Sequence, residues 1–398
     1  MISRRLSRMR EADPANRRSR LRTGARWVHR AIGAIPAIVG DAAATAILMV
    51  YTGIDRLTKG ELTWLLNARG RWATFAREAA KISPRADVYH GHDLSAIGAA
   101  MSSRDRHGAG AIVYDVHELY VESGSLAARS RGLKRILRRR EAGCYRRADA
   151  VVTVNASIAR ELGHRYGERE IAVIHNAVRV RTEPRGDLLR KALGIPATEA
   201  VALYQGALSE VRGLRQMIAA FETPGLARAH LVFMGFGPMR DELAAITSGR
   251  PRVHLVEPVR PHELDAWVAS ADVSLMTNLP AGMNEILSTP NKLFESIAAG
   301  VPVVTSDFPE RRAIVMDPVL GPLGEVCDPE SPRSIAAAVT SILTAGSAER
   351  AALRDRCIRA SERRWNWDRQ EMTLLRVYGS LSQPSPETLA YSGMAVSG

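Results

Sequence analysis

The segment with the clearest chemical pattern spans residues 284–295 and reads Asn-Glu-Ile-Leu-Ser-Thr-Pro-Asn-Lys-Leu-Phe-Glu. Pro290 suits the first turn of a helix, where the N–H that proline lacks would have no partner, and Ser288 or Thr289 could cap that helix. The start of a helix presents unpaired N–H groups and partial positive charge. The segment therefore predicts an anion-binding site of the kind that a phosphate occupies, with Asn291 at its edge.

Two charged residues follow the predicted helix start. Lys292 and Glu295 are three residues apart and would occupy neighbouring positions on one helix face. One could serve a phosphate or a sugar, and the other could accept hydrogen bonds from ribose hydroxyls. The alternative is a surface ion pair that contributes roughly 0.2–0.5 kcal/mol. We favour a ligand-binding role because the pair is followed by a buried apolar segment, Ala-Ala-Gly-Val-Pro-Val-Val at residues 298–304.

A second anion site is predicted where residues 203–214 read Leu-Tyr-Gln-Gly-Ala-Leu-Ser-Glu-Val-Arg-Gly-Leu. Gly206 lets the backbone approach a ligand closely. Arg212 stands just before a predicted helix, where its guanidinium and free N–H groups would face an anion together. This arrangement suits a diphosphate. Gly235 and Gly237 form another turn between a strand and a helix and could also bind the ligand, although a simple tight turn explains them equally well.

Two predicted strands end in polar clusters that contain histidine. The first reads Tyr-His-Gly-His-Asp and ends in His92 and Asp93, and the second reads Tyr-Asp-Val-His-Glu and ends in His117 and Glu118. A histidine at such a position can donate to a phosphate or a sugar hydroxyl, or act as an acid or base near neutral pH. The alternative for each one is a histidine that bonds to a neighbouring loop.

Short β-branched segments that alternate with longer amphipathic ones must position these residues. The alternation is typical of βαβ units with parallel sheets and predicts an α/β protein with two doubly wound domains. In such sheets ligands lie outside the carboxyl ends of the strands, which is where the candidate residues stand. The predicted strands are Ala86–Gly91, Ala111–Asp115, Ala150–Asn155, Ile171–His175, Ala200–Gly206, His230–Gly235, Arg252–Glu257, Ala271–Met276 and Val301–Ser306.

Shifts in composition suggest how the chain is divided. A break is expected over residues 178–187, where arginine, proline and glycine interrupt the pattern. The expected parts are a basic leader (1–34), a first Rossmann-like domain (35–180), a second domain (181–364), a helix (365–381) and a disordered Ser-, Pro- and Gly-rich tail (382–398).

Composition excludes several classes of protein. With 398 residues, 46% of them hydrophobic, the chain can bury two cores. Its three cysteines, Cys144, Cys327 and Cys357, are widely spaced and form no Cys-x-x-Cys pair. This spacing argues against a disulfide framework and against a zinc site, and it fits a reducing cytoplasm.

Much of the formal net charge of +13 lies near the start, where residues 4–30 contain ten arginines against Glu11 and Asp13. This leader and a predicted basic helix over residues 129–147 could hold a cytoplasmic protein on the anionic inner face of the plasma membrane. The alternative for both is a solvated charged surface. No motif supports nucleic-acid binding, and residues 35–53 fall short of a membrane-spanning helix.

Taken together, these elements resemble the family 4 retaining glycosyltransferases, particularly bacterial members that build cell-surface polysaccharides and glycolipids. The resemblance covers roughly residues 84–380. It rests on the two histidine clusters, Arg212-Gly213, the turn at Gly235 and the Pro-Asn-Lys-Leu-Phe-Glu motif. Further elements are Ala-Asp-Ala-Val-Val-Thr-Val-Asn at 148–155, Val-Ile-His-Asn-Ala at 173–177 and a closing tryptophan-containing helix.

The resemblance implies a GT-B fold, in which the second of two Rossmann-like domains holds most of the nucleotide sugar and the first holds the acceptor. A final helix crosses back to the first domain. The resemblance further implies that Glu295 binds the donor ribose, that Arg212 neutralises the diphosphate and that His117 lies near the donor sugar. His92, Asp93 and Glu118 then belong to the acceptor side.

The implied reaction transfers a sugar, with retention of configuration, to a hydroxyl of a cell-envelope glycan or a lipid-linked acceptor. It uses neither a metal nor another cofactor, because the leaving phosphate itself assists the acceptor hydroxyl. The protein then has mainly to stabilise negative charge on the diphosphate, which we assign to Arg212, Lys292 and the helix start.

The sequence departs from the family pattern in three ways. Leu287 stands eight positions before Glu295, where the family has a glutamate that contacts the donor sugar; Asn284, Glu285 or N–H groups of the following helix could substitute. Ala207 stands where many relatives have a further phosphate-binding arginine. The usual first strand and glycine-rich loop are not recognisable. Two alternatives therefore stay open: a catalytically impaired GT-B binding or scaffold subunit, and a GT-B sugar-nucleotide epimerase.

Overall fold

The computed structural model describes residues 50–180 and 186–382. Two β-sheets form its framework, one in each half of the chain, and every strand pairing in both is parallel. Helices connect successive strands and pack against the sheets. The predicted α/β architecture with two parallel sheets is therefore confirmed.

The first sheet has four strands in the order β1-β2-β3-β4. Its central strand β2 is buried because Ile112, Val113 and Tyr114 face core on both sides of the sheet. The elements of this half are α1 (Glu61–Ile82), β1 (Val88–His92), α2 (Asp93–His107), β2 (Ala111–Val116), α3 (Arg131–Arg147), β3 (Ala150–Thr153), α4 (Ala156–Tyr166) and β4 (Ala172–Val173).

Helix α1 covers one side of this half. Trp64 and Trp72 pack against a cluster that includes Leu94 and Leu137, and the guanidinium of Arg140 lies 4.6 Å from the ring centroid of Trp72. From residue 50 to the start of β1 the chain is helical or irregular, so no first strand with a glycine-rich loop occurs there. Residues 1–49, which include the basic leader, lie outside the described residues.

The second sheet has six strands in the order β10-β9-β8-β5-β6-β7. The chain moves outward from β5 through β6 to β7, then returns to the other side of β5 with β8. This reversal creates a switch point between β5 and β8, where open α/β sheets bind ligands. Both faces are covered, because Tyr204 packs into one core and its neighbour Leu203 into another.

The elements of this half follow in chain order. They are α5 (Leu188–Leu193), β5 (Ala200–Gln205), α6 (Leu214–Phe221), β6 (Ala229–Met234), α7 (Arg240–Thr247), β7 (Val253–Val256), α8 (Leu264–Ala269), β8 (Val273–Met276), α9 (Met283–Leu287), α10 (Asn291–Ala298), β9 (Val303–Ser306), α11 (Pro309–Val315), β10 (Gly324–Cys327), α12 (Pro332–Thr344), α13 (Ser347–Arg363) and α14 (Trp367–Ser382).

All nine predicted strands are present, and β10 is an additional strand that the sequence pattern did not reveal. Its four residues, Gly-Glu-Val-Cys, include a single β-branched side chain and show no apolar run. The strand forms because it pairs along β9, with Gly324 opposite Val303. Tertiary pairing thus overrides a weak local preference for strand.

The final helix α14 returns to the first half, as the sequence predicts. It contacts β1 and β4, and the hydroxyl oxygen of Tyr378 lies 2.7 Å from Nδ1 of His90. Residues 181–185 of the break expected at 178–187, and residues 383–398 of the tail expected at 382–398, lie outside the described residues, so the domain boundaries stay predictions. Over residues 50–180 and 186–382, no helix combines the length and apolar character needed to cross a bilayer.

The turn before α6 gives a test of this packing. Gly213 has φ +71, and a Cβ added there would lie 2.2 Å from the carbonyl oxygen of Thr277, at the end of β8. Gly194 has a similar φ of +64 with open space around it. We expect Gly194→Ala to cost about 1 kcal/mol of unfolding free energy, as strain alone does, and Gly213→Ala to cost about 3 kcal/mol or more. Urea unfolding measures both; equal costs would contradict the close approach.

Candidate functional site

A cavity of about 530 Å³ lies between the two halves of the chain. Its walls are formed by the ends of β5, β6 and β7, by α9 and α10, and by the loop that follows β2. The cavity thus stands at the carboxyl ends of strands from both sheets. Eight predicted site residues line it, namely His117, Glu118, Gly206, Arg212, Gly235, Asn291, Lys292 and Glu295; His92, Asp93 and Gly237 do not.

The start of α10 points at the cavity, but the capping prediction was wrong. Pro290 has extended backbone geometry and is itself the N-cap residue, and no side chain caps the helix. The hydroxyl of Ser288 donates to the carbonyl oxygen of Glu285 (3.1 Å), and that of Thr289 accepts from Nδ2 of Asn155 (3.0 Å). Both hydroxyls are therefore engaged in fixing the loop, and the first N–H groups of the helix have no side-chain cap.

Lys292 is not part of a surface ion pair. Its Nζ donates to the carbonyl oxygen of Gln205 (3.1 Å) and lies 3.8 Å from the ring centroid of Tyr204. Burial, reinforced by the positive charges of Arg212 and Arg311, holds the pKa of Lys292 well below its ordinary value. An ammonium group in this position is poorly compensated by the protein and would gain from a bound anion.

Glu295 lies on the same face of α10 and also lines the cavity. Its carboxylate accepts a hydrogen bond from Nε2 of Gln205 (2.7 Å). Burial raises the pKa of this carboxyl, and the nearby Asp265 adds to the effect. The other carboxylate lone pairs can accept hydrogen bonds from a ligand hydroxyl.

Arg212 ends a short 3-10 turn, Glu210–Arg212, directly before α6. Its side chain is 29% exposed, and Nη1 lies 3.5 Å from a carboxylate oxygen of Glu285. That carboxylate also accepts from Nδ2 of Asn278 (2.9 Å). The guanidinium is therefore held at the wall by a partner that a stronger anion could replace.

Two glycines allow the cavity floor to form. A Cβ on Gly235 would lie 1.9 Å from the carbonyl oxygen of Gly206, so the turns after β5 and β6 touch backbone to backbone. Gly237 has a different role from the predicted one. A Cβ there would lie 2.3 Å from the carbonyl oxygen of Leu208, which places this glycine beneath the turn, away from the cavity.

The residues predicted on the first domain form one connected group. His117 and Glu118 reach the cavity, whereas His92 and Asp93 lie behind them. Oδ1 of Asp93 accepts from the backbone N–H of His117 (3.0 Å). A hydrogen bond to Asp115 raises the pKa of His117, whereas burial lowers the pKa of His92.

Residues of α9 and its loop join the two halves. Oδ1 of Asn284 accepts from the N–H of Leu119 (2.9 Å), and its Nδ2 donates to Glu118 (3.2 Å). Asn155, which caps α4, also donates to the carbonyl oxygen of Leu287 (2.8 Å). These bonds run directly behind the cavity, so its two walls are held in a defined relation.

Leu287 has no access to the cavity in this arrangement. Its side chain packs against the core of the first half. Glu285, two residues earlier, lines the cavity instead. Leu287 therefore contributes to the contact between the two halves, and the carboxylate of Glu285 is available at the cavity.

Sequence reasoning missed two residues that support the site. Gln205 connects Lys292 with Glu295, and its place as the last residue of a strand could have revealed it. Arg311 is fully buried, and its guanidinium donates to the carbonyl oxygens of Met276, Glu285 and Ser288. Burial lowers its pKa to about 10. Nothing in the local sequence separates Arg311 from its exposed neighbour Arg312.

Comparison with protein families assigns both halves of the chain. A model described as Glycosyltransferase Family 4 matches residues 47–181, and one described as Glycosyl transferases group 1 matches residues 199–345. The chain belongs to the family 4, group 1 glycosyltransferases. The resemblance inferred from the sequence is thereby confirmed.

Individual relatives of this glycosyltransferase are distant. D-inositol 3-phosphate glycosyltransferase from Xylanimonas cellulosilytica is 29% identical over 206 residues, which is 50% of this chain and 46% of the relative. The match thus spans less than half the length of that relative.

Two solved structures share the fold. HepE from Anabaena, in complex with UDP, has a TM-score of 0.60 at 18% identity and covers 78% of this chain and 82% of its own. Sucrose-phosphate synthase from Thermosynechococcus elongatus has a TM-score of 0.57 at 17% identity, covering 74% and 73%. These neighbours confirm the GT-B fold of the glycosyltransferase.

The buried amine of Lys292 leads to a stability prediction. We expect Lys292→Met to keep the unfolding free energy at neutral pH, or to raise it by about 1 kcal/mol, because the variant no longer buries a charge. Because the pKa of Lys292 in the folded state lies below the ordinary 10.5, the unfolded chain binds more protons and wild-type stability rises with pH up to that value. Any advantage of the variant should therefore shrink as pH rises.

Urea unfolding at pH 7 and pH 9 measures this difference. Lys191→Met, at an exposed position on α5, is the matched control and should show no such trend. A large loss of stability in Lys292→Met at pH 7 would show that the ammonium contributes net stabilisation.

Proposed function

We propose that this glycosyltransferase transfers a sugar, with retention of configuration, from a nucleotide-diphosphate sugar to a hydroxyl of a cell-envelope glycan or a lipid-linked acceptor. The observation that carries the proposal is the composition of the cavity wall. Arg212, Lys292 and the uncapped start of α10 gather positive charge at one place, while Glu295 offers a hydroxyl acceptor beside it.

The diphosphate occupies the positively charged part of the cavity in this proposal. Negative charge grows on the leaving diphosphate as the glycosidic bond breaks, so preorganised donors there stabilise the transition state more than the ground state. Lys292 donates to the carbonyl oxygen of Gln205 at the end of β5, and Arg212 ends the short turn that precedes α6. Ala207 lines the cavity where many relatives have a further phosphate-binding arginine. Lys292 and Arg212 therefore stabilise the diphosphate without that arginine.

The donor sugar lies toward the first domain. His117, Asn284 and Glu285 line that side of the cavity and present hydrogen-bonding groups to sugar hydroxyls. Glu285 takes the place of the glutamate that relatives have where this chain has Leu287. Release of Glu285 from Arg212 on diphosphate binding would free its carboxylate for the sugar.

Uridine nucleotides are the first donors to test. The structure of HepE from Anabaena in complex with UDP-glucose has a TM-score of 0.59 at 17% identity, which supports the choice of probe through the shared fold. Transfer requires neither a metal nor a cofactor in this proposal, because the leaving phosphate assists the acceptor.

Arginine and glutamate variants test the donor site. We expect Arg212→Ala to weaken binding of UDP and of pyrophosphate by about 10- to 150-fold, the loss of a charge-assisted hydrogen bond. Glu295→Ala should weaken UDP but leave pyrophosphate unchanged, since its partner is the ribose. Isothermal titration calorimetry measures both affinities. UDP affinity unchanged in both variants would refute the assignment.

Arg215→Ala is the matched control, because Arg215 lies three residues beyond Arg212 and is paired on the surface with Glu242 (2.6 Å). Turnover is then followed as release of nucleoside diphosphate from a panel of nucleotide sugars with a membrane extract. Donor binding without release would favour the binding-subunit alternative. Conversion of the donor to a different nucleotide sugar would favour the epimerase.

The acceptor is expected at a membrane surface. Arg131, Arg135 and Arg139 lie on the exposed face of α3. The N-cap of α3, Ser130, is bonded to Glu61 at the start of α1, whose Phe75 and other apolar side chains are also exposed. Cationic and apolar groups on neighbouring helices suit an anionic bilayer.

Vesicle sedimentation tests the membrane proposal. We expect replacement of Arg131, Arg135 and Arg139 by glutamine, or deletion of residues 1–30, to reduce sedimentation with phosphatidylglycerol vesicles at moderate salt. Each basic residue near such a surface contributes about 1 kcal/mol.

The control variant replaces Arg228, Arg333 and Arg359, three exposed arginines of the second half, by glutamine and changes the net charge equally. Zwitterionic vesicles should sediment none of the proteins. Equal binding by both triple variants and by the deletion would rule out these surfaces.

A further inference from the structure

Four side chains at the ends of β1 and β2 form a compact group behind the cavity. This histidine cluster consists of His90, His92, Asp115 and His117. The two strands are paired so that His92 stands directly opposite Asp115. The register of the sheet therefore brings three imidazoles around one carboxylate.

The ring nitrogens converge on a single oxygen atom. Oδ2 of Asp115 lies 3.1 Å from Nε2 of His90, 3.1 Å from Nδ1 of His92 and 3.2 Å from Nε2 of His117. Nδ1 of His92 and Nε2 of His117 are themselves 3.1 Å apart. Three donor atoms, two nitrogens and one oxygen, thus form a nearly equilateral triangle.

This triangle matches one face of a tetrahedral metal site. An ion with bonds of about 2.0–2.1 Å to imidazole nitrogen and carboxylate oxygen holds its ligand atoms about 3.3–3.4 Å apart. The measured separations are shorter by a few tenths of an ångström, which small rotations of partly exposed rings can supply. The ligand atoms of His90, His92 and Asp115 also lie within 4.8 Å of one another, so His90 stands within reach as a fourth ligand.

Neighbouring residues hold the imidazole rings in place, as the hydrogen-bond partners of metal-binding histidines do. Nδ1 of His90 lies 2.7 Å from the hydroxyl of Tyr378 on α14, which leaves Nε2 turned to Asp115. On the other side, Asp93 accepts from the backbone of His117 and lies 3.8 Å from its Nδ1. The hydrogen bond between Tyr378 and the second ring nitrogen of His90 is of the kind that orients metal-binding histidines.

We propose that the histidine cluster binds one divalent transition-metal ion of the Zn²⁺ and Co²⁺ class, with His92, Asp115 and His117 as ligands and His90 completing the set. Imidazole nitrogens favour these ions, whereas Mg²⁺ and Ca²⁺ prefer oxygen ligands. The site adjoins the donor cavity and shares His117 with it, although the proposed transfer does not require the ion. A hydrogen-bond network alone would bind no such ion.

The experiment uses the full chain without a polyhistidine tag, freed of metal by a chelator and dialysed. Titration with Zn²⁺ in a calorimeter should give one site per chain, and Co²⁺ should give the intense visible absorption of a four-coordinate complex. We expect His92→Ala and Asp115→Asn each to weaken Zn²⁺ binding at least 10-fold. Absence of Zn²⁺ binding, or equal binding of Mg²⁺, would overturn the proposal.

His254→Ala is the matched control, because His254 also lies close to another histidine, His230 (2.8 Å), on the second sheet. Its affinity for Zn²⁺ should equal that of the wild type. Thermal melting identifies any variant that fails to fold, and His92→Ala suffices if Asp115→Asn does not, since the side chain of His92 is 56% exposed. Unchanged affinity in a folded His92→Ala would contradict the site. UDP binding, measured in parallel, reports on the donor site independently of the metal.

Discussion

Like charges held close together are the constraint on which the site depends. Burial is the largest cost of protonating Lys292, and the positive charges of Arg212 and Arg311 add to that cost. Arg311 is compensated by the carbonyl oxygens around it, whereas Lys292 has one carbonyl and an aromatic ring. A bound anion would balance these charges and favour the protonated form of Lys292. Such local destabilisation is characteristic of binding sites.

The loop between α9 and α10 connects the positively charged site around Lys292 to the rest of the fold. Arg311 holds the loop from below through the carbonyl oxygens of Glu285 and Ser288, and Asn155 holds it from the first domain. The start of α10 is thereby aimed at the cavity without a capping side chain. The bond from Asn155 also joins the two halves of the chain, so the shape of the anion site and the spacing of the halves both depend on this loop.

The parts of the site that sequence could predict are those in which local pattern and tertiary structure agree. Nine strands were predicted from their short β-branched segments, of which β6, β8 and β9 are buried along their whole length. The prediction that Ser288 or Thr289 caps α10 was wrong, because the hydroxyls of both residues form hydrogen bonds with groups outside that helix. Arg311 was missed for a similar reason: its role depends on carbonyl oxygens that only the fold brings together. Asp115 was read as part of a motif, although the register opposite His92 gives it three histidine partners.

The two departures around the donor site can be understood as a pair. Relative to the family pattern, Leu287 removes one negative charge from the sugar side, and Ala207 removes one positive charge from the phosphate side. The net charge that faces the ligand is therefore preserved, although both individual contacts are lost. Since Leu287 packs into the first domain, the exchange adds apolar contact between the halves at the expense of a ligand contact. In the proposed donor site, Glu285, which is paired with Arg212, would link the binding of the diphosphate to the recognition of the sugar.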